Sequence, residues 1–208
     1  MRSVKNEIKQ SLHIGLTGGI GSGKTLAARI WQRLGRPIIE VDLIARQVIR
    51  PGSPLLQEIC DYFGQDILLA SGELNRNALR HIIFNDDHAR KKLEATMHPV
   101  IRKEVITRFA QYRHMPMVIL SSPLLFETGQ DKIVDKVVVV DVSQDIQIKR
   151  VIQRDANSCN LVKKIMKTQL SREDRLQNAD FILDNSKNIF YLARQIRQLD
   201  KLLTHDKR

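Results

Sequence analysis

Eight consecutive residues constrain this chain more than any other stretch: Gly18-Gly19-Ile20-Gly21-Ser22-Gly23-Lys24-Thr25, a full match to G-x-x-x-x-G-K-[ST]. The pattern is physically demanding. Glycines let the backbone curl until successive N–H groups point into one concavity, an anion-binding nest. A helix beginning at the end of the loop turns its positive end toward the same anion. The flanks supply what such a loop needs. His13-Ile14-Gly15-Leu16-Thr17 reads as a buried strand before it. After it, Leu26, Ala27, Ile30, Trp31 and Leu34 recur at helical spacing, and Gly35 stops that helix. A glycine-rich turn with a surface lysine is the bland alternative, and both flanks argue against it. The expectation is that Gly18, Gly19, Gly21, Ser22 and Gly23 wrap the phosphates of a nucleoside triphosphate. Lys24 reaches the β- and γ-phosphates, the Leu26 N–H the α-phosphate, and the Thr25 hydroxyl ligates Mg²⁺.

The rest of the chain alternates. Pro37 to Val41 reads as a second strand with Asp42 at its C-terminal end. Helical patterns follow at Leu43 to Ile49 and Pro54 to Phe63, then beyond an Asn75 cap, at Asp86 to Glu94 and at Pro99 to Tyr112. Met117 to Leu120 and Val137 to Val140 are uninterrupted apolar runs suited to the interior of a parallel sheet. Ile146 to Ile152 reads as a helix, and a polar stretch from Arg154 leads to a basic helix ending at Leu170. Phe181 to Leu183 is a last strand and Ile189 to Leu203 a closing amphipathic helix. Strands alternating with helices predict an α/β fold with a parallel sheet, a P-loop NTPase three-layer sandwich carrying a helical insertion.

Composition narrows the partners. Against 23 acidic residues stand 34 Lys and Arg, a formal net charge of +11 in 208 residues. That excess suits either a nucleic acid or a small, highly phosphorylated substrate. The basic residues are dispersed in pairs such as Lys91-Lys92, Lys149-Arg150 and Lys163-Lys164, and aromatics make up only 5%, which favours the small anion. No stretch approaches the ~18 uninterrupted apolar residues of a bilayer span. The first residues show no secretion signal. Cys60 and Cys159 lie far apart and read as two free thiols, so the expected compartment is the cytoplasm.

A phosphate loop is shared by kinases, GTPases and larger ATPases. Neither a D-x-x-G following a strand nor an N-K-x-D is present, and the length suits a small-molecule kinase that closes a lid over two substrates. Such an enzyme needs a carboxylate near the acceptor hydroxyl and cations over the transferring group. Asp42 is placed for the first task, with a helix N-cap as its alternative role. Arg46 lies four residues on, on the same face, and suits the acceptor's phosphates. Arg150 and Arg154, one helical turn apart, are candidate cations, with a solvated basic face as the alternative. His98, before Pro99, is read equally as a substrate contact or a packing histidine. Glu127 is read as a sheet-end carboxylate near the metal site or a structural hydrogen-bonding group.

Several spaced motifs then occur in order. After Gly15-Leu16-Thr17 and the phosphate loop come Asp42-Leu43-Ile44-Ala45-Arg46, Pro51-Gly52, Phe63-Gly64, Gly72-Glu73-Leu74-Asn75-Arg76 and His98-Pro99. Pro123-Leu124-Leu125-Phe126-Glu127, Gln147-Ile148-Lys149-Arg150, Arg154-Asp155, Gln169 and Ala179-Asp180 follow. From Ile14 to about Asn185 the chain resembles the dephospho-CoA kinases, which phosphorylate the ribose 3′-hydroxyl of dephospho-CoA with ATP. The resemblance implies a nucleotide-binding core (12–42, 115–150 and 178–208), a helical acceptor-binding insertion (43–114) and a lid (151–177). It also implies that Asp42, the second member of an Asp-x-Asp pair, acts at the acceptor hydroxyl, and that Arg150 and Arg154 serve ATP from the lid region. Arg46, Arg76 and His98 become candidate substrate-binding residues. Two positions depart from the family pattern. Glu40 replaces the first Asp of the pair, and Thr25-Leu26 stands where Ser-Thr is usual, although the hydroxyl for Mg²⁺ survives. The expected partners are ATP and dephospho-CoA, with no nucleic acid and no membrane, in a monomer or weak oligomer.

Overall fold

A computed structural model of the chain describes residues 11–155, 166 and 168–205. Its sheet comprises β1 (Leu12–Thr17), β2 (Ile38–Glu40), β3 (Met117–Ser121), β4 (Lys136–Asp141) and β5 (Phe181–Asp184), in the order β2-β3-β1-β4-β5. The β1–β3, β1–β4 and β4–β5 pairings are all parallel. Every residue of β3 is buried, as are the four valines of β4, which is why both read as continuous apolar runs. From β1 the chain first builds toward β2 and then toward β5 on the opposite side, so the winding reverses beside β1. Open parallel sheets bind ligands at the carboxyl ends of strands next to such a reversal. The carboxyl end of β1 runs straight into the glycine loop.

The chain divides into two compact units, Met1–Ile39 with Phe109–Arg208, and Glu40–Arg108. In the first, α1 (Lys24–Arg33) and the last helix, Ile189–His205, pack with one face of the sheet. Trp31 is fully buried among Ile14, Leu16, Met117 and Ile119. The closing helix contributes Leu192, Ile196, Leu199 and Leu203, a stripe at helical spacing.

The second unit is helical: α2 (Val41–Gln47), α3 (Pro54–Phe63), α4 (Arg76–Asn85) and most of α5 (Asp87–Gln111). Its core gathers Ile49, Leu55, Leu56, Ile59, Cys60, Ile67, Leu79 and Leu93. Polar caps fix the helix starts. Ser53 Oγ accepts from the Leu56 N–H at 3.2 Å ahead of Pro54, and Asn75 Oδ1 accepts from the Ala78 N–H at 3.1 Å.

Three elements differ from the sequence expectation. Helix α2 starts at Val41, so Asp42 sits in its first turn and not at the end of a strand. The burial of Val41 and Ile44, three residues apart, draws the backbone into the helix early. Helix α5 runs unbroken through Pro99, where two separate helices were expected. Proline removes one backbone hydrogen bond, but Leu93, Ile101, Val105 and Phe109 are all buried at helical spacing and hold the helix together across it. The sequence reading also omitted a short helix at Arg172–Gln177. With α6 (Gln144–Asp155) before it, that helix is α7, and Ile189–His205 is α8. Much of the expected lid, with the basic helix, Cys159, Lys163 and Lys164, lies on residues 156–165 and 167, outside the described residues.

Candidate active site

The phosphate loop is closed in by groups from distant parts of the first unit. Gly23 precedes α1 with φ 97°, a left-handed conformation, and a Cβ there would strike the Asn185 Nδ2. Gly21 has φ 76°, and a Cβ on it would lie 2.7 Å from the Gln147 carbonyl oxygen. Both positions therefore need glycine. Within the loop the Ser22 N–H donates to the Gly19 carbonyl at 3.0 Å, and the buried Asn185 Nδ2 donates to the Ser22 carbonyl at 2.7 Å. A Cβ on Gly19 would collide with the Gln147 Nε2. The absence of side chains here is what lets Gln147 and Asn185 press against the loop.

Charged and polar groups converge on the same place. Lys24 Nζ donates to Ser121 Oγ at 2.8 Å, at the carboxyl end of β3. The Ile20 N–H donates to Gln169 Oε1 at 3.0 Å. Arg150, on α6, donates from Nη2 to the Asn185 carbonyl at 2.9 Å, with Nη1 3.5 Å from the carbonyls of Gly21 and Ser22. Arg150 and Arg154 line a cavity of about 400 Å³ together with Gly21, Gly23, Leu26 and Asn185. Five residues named from sequence thus share one cavity: Gly21, Gly23, Leu26, Arg150 and Arg154. Thr25 is exposed in the first turn of α1.

A second group of residues beside the loop was assigned no role from sequence. Gln147 and Arg175 are both buried. They line a cavity of about 480 Å³ with Gln144, Gln169, Arg172 and Glu173. Arg172 forms a two-pronged ion pair with Asp141, at 2.9 and 2.6 Å, and that hydrogen bonding raises its pKa. Arg175 goes the other way, because burial disfavours its charged form. Its Nη2 donates to the Leu170 carbonyl at 2.9 Å. Glu127 Oε1 accepts the Leu170 N–H at 2.6 Å, so the carboxylate read as a metal-site or structural group has a hydrogen-bonding partner in the backbone. One sequence signal pointed to α7: Ser171-Arg172-Glu173-Asp174 fits the S-x-x-[DE] capping pattern, and Ser171 Oγ accepts the Asp174 N–H at 3.0 Å.

The remaining candidates lie in the Glu40–Arg108 unit. Asp42 is exposed in α2. Glu40 occupies the N-cap position, without a side-chain capping bond, so Asp42 does not cap the helix. Among the described residues no hydrogen bond or ion pair engages the Asp42 carboxylate. Arg46 lines a cavity of about 760 Å³ with Arg50, Ser53, Glu58 and Glu104. Arg76 is the exposed first residue of α4, and His98 is half-buried in α5; neither lines that cavity.

No group of three or more His, Cys, Asp or Glu among the described residues is placed to hold a metal. The donor chemistry beside the loop is a hydroxyl, Thr25, next to a phosphate nest. That fits Mg²⁺, which is usually held through one or two protein oxygens plus substrate phosphates and water.

A sequence model of the family described as dephospho-CoA kinase matches residues 12–190. The dephospho-CoA kinase of Idiomarina loihiensis is 46% identical over 186 residues, covering 89% of this chain and 92% of that protein. A solved structure from Thermus thermophilus superposes with a TM-score of 0.82 at 28% identity, over 94% of this chain and 100% of that one. Dephospho-CoA kinase from Campylobacter jejuni gives a TM-score of 0.72 at 26% identity, over 94% and 98%. A phosphate loop at the carboxyl end of β1, a sheet that reverses there, and a family match across most of its length lead to one conclusion: the chain belongs to the dephospho-CoA kinase family.

Proposed function

We propose that the chain transfers the γ-phosphoryl group of ATP to the ribose 3′-hydroxyl of dephospho-CoA, giving coenzyme A in the last step of its synthesis. The observation that carries this reading is the phosphate loop, intact at every residue a triphosphate requires, in a member of this family. Its N–H groups and the start of α1 hold the phosphates, and Lys24 neutralises the β- and γ-oxygens. Arg150 counters the charge that builds on the transferring group, and Arg154, in the same cavity, binds ATP beside it. Asp42 orients the acceptor hydroxyl and takes its proton as the ribose oxygen bonds to phosphorus in line with the departing ADP. Support for that role comes from a carboxylate with no competing partner among the described residues.

The helical residues 43–114 bind the acceptor. The cavity beside Arg46 and Arg50 is of ligand size and brings two cations for its phosphates. Arg76 and His98, outside that cavity, serve as further acceptor contacts. Residues 151–177 act as the lid. Thr25, with the phosphate oxygens, would hold Mg²⁺, which when bound supplies charge neutralisation on the triphosphate. A monomer or weak oligomer in the cytoplasm suits this activity and the free, buried Cys60 thiol.

An ADP-coupled assay across dephospho-CoA, nucleoside monophosphates and small hydroxylated metabolites tests the reading. Dephospho-CoA should give the highest kcat/KM by a wide margin, with turnover dependent on Mg²⁺. A nucleoside monophosphate ranking first would replace the proposal with that of a different small-molecule kinase.

A further inference from the structure

We infer that Arg175 is a further catalytic residue, whose Nη1 binds the terminal phosphate of the nucleoside triphosphate held in the loop. The inference rests on the loop being the ATP site, as proposed above. Arg175 lies on α7, 150 or more residues from the loop in sequence, and its side chain is only 7% exposed. One arm is used: Nη2 donates to the Leu170 carbonyl. The other arm, Nη1, is buried and has no hydrogen-bond partner among the described residues. A guanidinium carries five donors and stays charged, so a desolvated, unpartnered arm is costly unless an anion comes to it.

Position identifies the anion. Nη1 lies 3.3 Å from the point a Cβ on Gly19 would occupy, against the second residue of the phosphate loop. With the α-phosphate at the first turn of α1 and Lys24 on the β- and γ-oxygens, the terminal phosphate lies toward the opening residues of the loop. Ile20, the next residue, already offers its N–H to an oxygen, that of the Gln169 amide. A phosphate oxygen is a stronger acceptor of the same kind. Of the nearby carboxylates, Asp141 is engaged by Arg172 and Glu127 by the Leu170 N–H, while Glu173 attracts Arg175 without a hydrogen bond to Nη1 among the described residues. A purely structural arginine would need only the arm that holds Leu170.

The test compares ATP and ADP binding by titration calorimetry, together with turnover of dephospho-CoA, in Arg175→Met and Arg175→Lys. If Nη1 holds the terminal phosphate, Arg175→Met weakens ATP by about 10-fold or more, leaves ADP within about threefold, and lowers kcat by roughly 10²–10³. Arg175→Lys, which keeps charge without the planar fork, recovers part of the loss. Thermal melting followed by circular dichroism confirms folding; should Arg175→Met not fold, the ATP-to-ADP preference of Arg175→Lys decides. An unchanged preference in the folded variant, whether both nucleotides weaken together or neither does, overturns the inference. Lys24→Ala separates the two layers. If it binds both nucleotides like the unaltered chain, the loop reading fails; if it loses them while Arg175 variants keep the wild-type preference, only the role of Arg175 fails.

Discussion

Asp42 gained its standing from what it does not do. By local sequence alone, an aspartate just ahead of a helix is an ordinary N-cap. Here the helix begins two residues earlier than Leu43, Glu40 takes the cap position, and the Asp42 carboxylate is left exposed. Asp42→Asn preserves size and most hydrogen-bonding shape but cannot accept the proton. We expect kcat with dephospho-CoA to fall by about 10²–10⁴ while ATP affinity changes less than about threefold. Steady-state assays paired with nucleotide titration read both quantities. Near-wild-type turnover would remove Asp42 from the mechanism. Lys24→Ala should give the complementary result, a large loss of ATP binding itself.

Between elements, the pairing of β4 with β5 rests partly on one carboxylate. Asp180 Oδ2 accepts the Val137 N–H at 2.7 Å, and Oδ1 accepts from Lys136 Nζ at 2.9 Å. Partial burial pushes its pKa up, but the hydrogen bonds from Lys136 and Val137 outweigh that and hold it below the ordinary value. A carboxylate depressed in the folded state stabilises the fold above its unfolded pKa of about 4, and the contribution is lost as pH falls through the lower folded value. Asp180→Asn should therefore cost about 1 kcal/mol at neutral pH, the lysine partner being half exposed, and the difference should shrink in acid. Urea denaturation at pH 7 and at lower pH measures it; a gap that stays constant with pH would refute the account. Element boundaries were legible where local chemistry sets them, as with Ser53, Pro54 and Asn75. They were not legible at Pro99, where a local breaker is overruled by a face buried along α5.

Across the whole molecule, the charge of +11 has a consequence for partners. Scattered over separate elements and not gathered on an aromatic-lined strip, it should attract small polyanions without gripping a duplex. A filter-binding titration at about 0.15 M salt should retain no duplex DNA, and tight retention there would revive a nucleic-acid role. No helix among the described residues is long and apolar enough to cross a membrane. What the sequence determined by itself is whatever depends on neighbours in the chain. The octapeptide, the strand before it and the helix after it follow from short-range spacing, as does the alternation that makes a parallel sheet. Only the tertiary structure decided what surrounds the loop. Gln169 meets Ile20 across 149 residues and Asn185 meets Ser22 across 163, while Arg175 comes to Gly19 on a helix of six residues. No periodicity encodes such meetings. They arise because β4 lies beside β1 and β5 beside β4, and that parallel order brings the segments following both strands to the carboxyl end where the loop begins.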